Sequence, residues 1–66
     1  MSPERFAMNL KTLRESRGLT QEVLAKKAGI SRAYLARLEM GLHDPHLSRL
    51  RKLAKALGVK VSTLVD

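Results

Sequence analysis

Apolar residues in this chain recur at intervals of three and four, the period of helices that bury one face. Phe6, Leu10 and Leu13 set the rhythm, and Arg14 and Arg17 continue the same stripe. Ser2-Pro3-Glu4 ahead of them reads as a helix start. Ser2 is placed to accept free N–H groups, and Pro3 stands at the first helical position, where its missing N–H costs nothing. Gly18 is the matching stop, so the first helix is expected at about residues 3–17. Thr20 opens a second helix, with Gln21 in its first turn and Leu24, Ala25 and Ala28 on one face, until Gly29 interrupts it. Ser31 caps a third, with Leu35 and Leu38 inward and Gly41 at its end. The segment Gly41-Leu42-His43-Asp44-Pro45 is a loop, since Asp-Pro breaks a helix and favours a turn. Leu47, Leu50, Leu53, Ala54 and Leu57 mark a fourth helix ended by Gly58, and Val61 with Leu64 a short fifth. No strand pattern, internal repeat or low-complexity tract interrupts this order. The expected class is all-α.

Composition narrows the picture. Sixty-six residues are expected to hold one domain with a thin core. There is no cysteine, hence no disulfide and no thiolate metal site, which fits a reducing cytoplasm. No apolar run approaches the length of a membrane span or a signal-peptide core, so no membrane partner is expected. Phe6 and Tyr34 are the only aromatics, too few for a platform that stacks single-stranded bases. The net charge of +7 favours a polyanionic partner, nucleic acid being the commonest. That charge is uneven: residues 1–29 carry +3, residues 30–46 are neutral, and residues 47–66 carry +4. On the fourth helix Arg49, Arg51, Lys52 and Lys55 occupy the arc opposite the leucines, which reads as the solvated side of an amphipathic helix.

Residues 20–41 carry the chemistry. Two short helices joined through a glycine-containing turn form a helix-turn-helix when they cross steeply. Ala25 is small where the second helix must approach the third, and Gly29 tolerates the positive φ of a sharp turn. Ile30 plugs the space beneath that turn, Leu35 and Leu38 anchor the third helix, and Ser31 accepts the N–H groups at its start.

These residues resemble the phage repressor and Cro-type (XRE-type) helix-turn-helix family. The matching positions are Leu19, Thr20, Gln21, Glu22, Leu24, Ala25, Gly29, Ser31, Leu38, Glu39 and Gly41. The likeness continues through Pro45, Leu50, the run from Lys52 to Val59, and Leu64. It implies a compact five-helix bundle of the lambda-repressor-like type, and a sequence-specific regulator of transcription that binds double-stranded DNA. The third helix would lie in the major groove. Its exposed residues would be Arg32, Ala33, Ala36 and Arg37. Outside such a motif two arginines are ordinary solvated surface; within it, each is suited to guanine O6 and N7. Tyr34, beside that face, either touches a base or phosphate or covers the helix edge.

The resemblance also implies phosphate contacts from Gln21 and from the start of the fourth helix, near Ser48. His43 and His46 flank that start. His46 stands where the family often has Ser, Thr or Asp, so it serves as a weak cap or as a phosphate contact, and two histidines alone make no metal site. Met40 replaces the usual Asn or Arg at another expected phosphate contact, and His43 is a further candidate for one. Arg14 and Glu39 match positions that the family joins in a salt bridge, and read as scaffold. Val23 is a lone apolar residue on an outer face.

One recognition helix reads few base pairs, so a homodimer on a pseudo-palindrome is expected, with half-sites about 34 Å apart. Val59, Val61, Leu64 and Val65 either form its interface or simply complete the core. No catalytic pair, metal cluster or glycine-rich phosphate loop is present, so neither enzyme activity nor a cofactor is expected. Glu4, Glu15 and Glu22 read as exposed helix charges. No ligand-sensing module is expected in so short a chain, leaving control to concentration, dimerisation or a separate partner. The competing class is an antitoxin-like protein-interaction module of the same fold, for which a neutral or acidic third-helix face would be the sign.

Overall fold

Each of the first three helices begins behind a hydroxyl residue. In the computed structural model, which describes residues 2–66, the helices are α1 (Pro3–Ser16), α2 (Gln21–Ala28), α3 (Arg32–Glu39), α4 (Leu47–Leu57) and α5 (Val61–Val65). Ser2, Thr20 and Ser31 each accept the N–H three residues on, at 3.1, 3.1 and 3.0 Å. Such caps satisfy donors that a helix start leaves unbonded. α4 and α5 begin at His46 and Lys60 without a side-chain cap.

The ends of α1 to α4 follow one pattern. At the end of α2, Gly29 takes φ +71°, its N–H bonds to Lys26 O at 3.2 Å, and the Ile30 N–H reaches back to Ala25 O at 3.0 Å. This is a Schellman closure, and it turns the chain sharply while delivering Ile30 onto the core. The same pair of backbone bonds closes α1, α3 and α4 at Gly18, Gly41 and Gly58. α1 is one residue shorter than its periodicity indicates, because Arg17 is already its C-cap.

All five helices feed one core. Phe6, Leu10, Leu24, Leu35, Leu38, Leu53 and Leu64 are completely enclosed. α1 packs on α3 and α5, α2 on α3 and α4, and α5 also on α4. Long side chains tie the helices at their ends. Arg17 donates to Leu57 O at 2.8 Å, and Asn9 to Leu64 O at 2.9 Å. Two apolar positions show what the period leaves open. Leu47 is 55% exposed. It is the first residue of α4, ahead of the stretch that reaches the core, and Pro45 is buried just before it. Leu64 is fully enclosed in this single chain, so its side chain completes the core and has no surface for a dimer interface.

Among the described residues Arg14 is the one charged residue buried as a whole, and the side chain of Glu39 is buried against it. Its Nε and Nη2 donate to the two carboxylate oxygens of Glu39 at 2.7 and 3.1 Å, and its Nη1 donates to Leu19 O at 2.7 Å. The side chains are only 11% and 4% exposed. The hydrogen bonds that Arg14 donates to Glu39 raise the guanidinium pKa above its already high ordinary value; burial opposes this, and the charges of Glu39 and then Glu15 reinforce it. Because the shift is upward, the guanidinium stays charged wherever the chain is folded, and the pair lasts as long as Glu39 is a carboxylate.

Two substitutions separate backbone strain from burial. Gly29→Ala meets no atom within 4 Å of the added Cβ, so its cost is the left-handed backbone alone. About 1 kcal/mol is expected by urea denaturation. Glu39→Ala strands a buried cation, and about 3 kcal/mol or more is expected, a large share of what holds so small a domain together. Glu39→Gln, which keeps an acceptor, is expected to lose less.

Candidate nucleic-acid interface

The orientation of α3 is dictated by its two leucines. Leu35 and Leu38 are fully buried, and at about 100° per residue the opposite side of the helix falls on Ala33 and Arg37. Arg32, Ala33 and Arg37 are exposed, while Ala36 and Tyr34 are half-buried. Arg32 and Tyr34 lie on the two flanks, and each is engaged by a different neighbouring helix.

On the α2 flank, Arg32 Nη1 donates to Gln21 Oε1 at 3.3 Å, and Gln21 Nε2 donates to Glu39 Oε1 at 3.1 Å. Since Glu39 also binds Arg14, one hydrogen-bonded line runs from the core to the outward face of α3. Its outermost link is the longest and the weakest. The line also sets the Gln21 amide. Its oxygen faces Arg32 and one N–H faces Glu39, which leaves a single N–H for any further acceptor.

On the α4 flank, the Arg49 guanidinium carbon lies 4.8 Å from the Tyr34 ring centroid, over its face. The His43 ring stacks on the same tyrosine, with centroids 6.2 Å apart and planes inclined by 28°. Sequence periodicity places Arg49 among freely solvated charges. In the fold its residue remains exposed, yet its head group spans from α4 to α3. Nothing in the spacing within α4 signals this, because the contact depends on how the two helices are set against each other. A polar cleft bounded by Gly29, Ile30, Ser31, Tyr34, Arg37 and Arg49 lies between them, and no carboxylate lines it.

The remaining candidates divide by what they can donate. Ser48 is exposed in the first turn of α4, and His46 is exposed at its N-cap with no side-chain cap bond. Met40 offers a phosphate no hydrogen bond. Its N–H is already bonded to Ala36 O and Arg37 O at 3.1 and 3.2 Å, and a thioether has no donor. The residue is 70% exposed. Val59, Val61 and Val65 are half-buried against the core.

The pattern of the helix-turn-helix family matches residues 10–64. The chain is 48% identical over 56 residues to the immunity repressor protein of Bacillus phage phi105, covering 85% of this chain but only 39% of that repressor. It is 46% identical over 55 residues to an HTH-type transcriptional regulator of Methanocaldococcus jannaschii, covering 83% of each. Among solved structures, the restriction-modification controller protein C.AhdI of Aeromonas hydrophila superimposes with a TM-score of 0.91 at 35% identity, over 94% of both chains. SinR, the master regulator for biofilm formation, in complex with DNA, superimposes with a TM-score of 0.89 at 34% identity, over 92% of this chain and 98% of that one. The turn between α2 and α3, the caps on either side of it and the ion pair behind it therefore sit in a recognised pattern spanning most of the sequence, and the chain belongs to the helix-turn-helix family.

Proposed function

We propose that this chain is a sequence-specific regulator of transcription that binds double-stranded DNA, with α3 in the major groove. The observation that carries this reading is the outer side of α3. Two arginines stand among alanines there, braced from behind by Leu35 and Leu38 and on one flank by the line through Gln21 and Glu39. The regulators and repressors named above, and the DNA complex of SinR, support it.

Arg32 and Arg37 each donate a pair of hydrogen bonds to a guanine edge, and Ala33 and Ala36 let the helix sit deep, with methyl groups for thymine. The free N–H of Gln21, His46, Ser48 and the uncapped N–H groups at the start of α4 bind phosphates and fix the register. The basic side chains supply most of the affinity and its salt dependence. Such a protein works where the DNA is, in the cytoplasm.

A second copy of the chain completes the reader. The exposed edges of Val59, Val61 and Val65 form the interface, and two α3 helices meet successive major grooves.

Selection from a pool of random duplexes tests the reading. The chain is expected to enrich a pseudo-palindrome, and Arg37→Ala to weaken binding to it roughly 10- to 100-fold, the range of one lost bidentate base contact. A pool left without enrichment overturns specific reading. Sedimentation tests the second copy: Val61→Asp is expected to keep the helical content and abolish the dimer, and an enriched site holding one half alone overturns the dimer.

A further inference from the structure

We infer that Arg49, on α4, is a positioning residue for base reading: it holds the Tyr34 ring at the edge of α3 so that Tyr34 reads one base position. The inference rests on the DNA-reading proposal and extends it beyond the helix-turn-helix itself.

Three observations converge on it. Tyr34 is half-buried, immediately beside Ala33 on the flank of α3 that faces α4. Its backbone is fixed by the cap from Ser31 Oγ at 3.0 Å, but a tyrosine on a helix flank still has two torsions to settle. The Arg49 guanidinium, 4.8 Å from the ring centroid, and the His43 ring, 6.2 Å away, settle them from outside the helix. Arg49 in turn has no other anchor, since no carboxylate among the described residues pairs with it. A planar guanidinium over a ring face is attracted by the ring quadrupole and stacks on it as an ammonium group does not. Its place between α3 and α4, at the wall of a cleft without carboxylates, keeps that contact next to the groove-facing side of the helix.

The consequence is a division of labour. Arg32 is oriented from α2 by Gln21, and Tyr34 is oriented from α4 by Arg49 and His43. Base preference at the Tyr34 position is therefore set by a residue that touches no base. Arg49 does this through a contact that a change in α4 alone would release.

The test compares the wild-type chain with Tyr34→Leu, Arg49→Met, their double variant and Arg51→Met, each by duplex selection followed by affinity measurement across salt concentrations. Arg49→Met keeps the hydrocarbon stem and loses the planar cation, whereas Arg51→Met removes an equal charge from an exposed part of the same helix. Thermal unfolding of every variant confirms that the fold is retained. Tyr34→Leu is expected to relax preference at one base position per half-site. Arg49→Met is expected to relax the same position, roughly two- to fivefold, on the scale of one exposed cation–π contact. The double variant is expected to relax it no further than Tyr34→Leu alone, and Arg51→Met to leave it unchanged. If Arg49→Met instead weakens all duplexes alike and lowers the salt slope by about one, Arg49 is a phosphate contact and the inference fails. It fails equally if Tyr34→Leu relaxes no position, which would make Tyr34 a cover for the helix edge. A wild-type chain that enriches no duplex overturns the DNA-reading proposal itself, a result visible before any variant is made.

Discussion

A cation buried in a core this thin must be answered in full, and the way Arg14 is answered organises much of the molecule. Glu39 meets it with both oxygens and Leu19 with its carbonyl. Those bonds bring the last residue of α3 onto the last turn of α1 and tie the chain entering α2 to the same point. They would matter less in a large protein, where a buried pair is weak evidence for stability and an apolar replacement often serves as well. Here the pair has a further product. Its carboxylate also accepts from Gln21, so the residue that neutralises the core cation sets the amide that meets Arg32. Packing, charge and the aim of a surface arginine share one acceptor.

α3 is a short helix with little grip of its own. Its eight residues bury two leucines, and their depth in the core fixes which side faces out. What remains free is the direction of the long side chains on its flanks. α2 holds one flank through an amide, and α4 holds the other through a guanidinium on a ring. The two devices differ in strength. The amide line is continuous with a buried ion pair, whereas the cation–π contact stands at the surface, where such contacts are worth about 0.5–1 kcal/mol. The Tyr34 flank is thus the softer one, more open to change by substitution on α4.

Much of this was readable from the residues alone. Ser2, Thr20 and Ser31 before apolar runs located three helix starts, and the glycines located the stops, because caps and left-handed closures are local events. The inward placement of Leu35 and Leu38 and the outward placement of Arg32, Ala33 and Arg37 followed from period alone. What the period left open shares one cause. Leu47 fits the stripe of α4 yet lies exposed, and Leu64 lies enclosed although it reads as a possible contact for a second copy. Periodicity assigns a face but not the depth at which a neighbouring helix covers it.

The amino-acid sequence by itself determined the elements, their order, the outward face of α3 and the residue types on it, because each depends on neighbours within a few positions or on a family pattern legible in the chain. Only the tertiary structure decided which of those side chains act together. Gln21 faces Arg32 across 11 positions, Glu39 meets Arg14 across 25, and Arg49 covers Tyr34 from another helix. The family pattern pointed to the Arg14–Glu39 pair, but the geometry that joins it to Gln21 and Arg32 comes from how α1, α2 and α3 pack. Those meetings are set by the angles at which helices cross, and the crossing angles are set by the whole core at once.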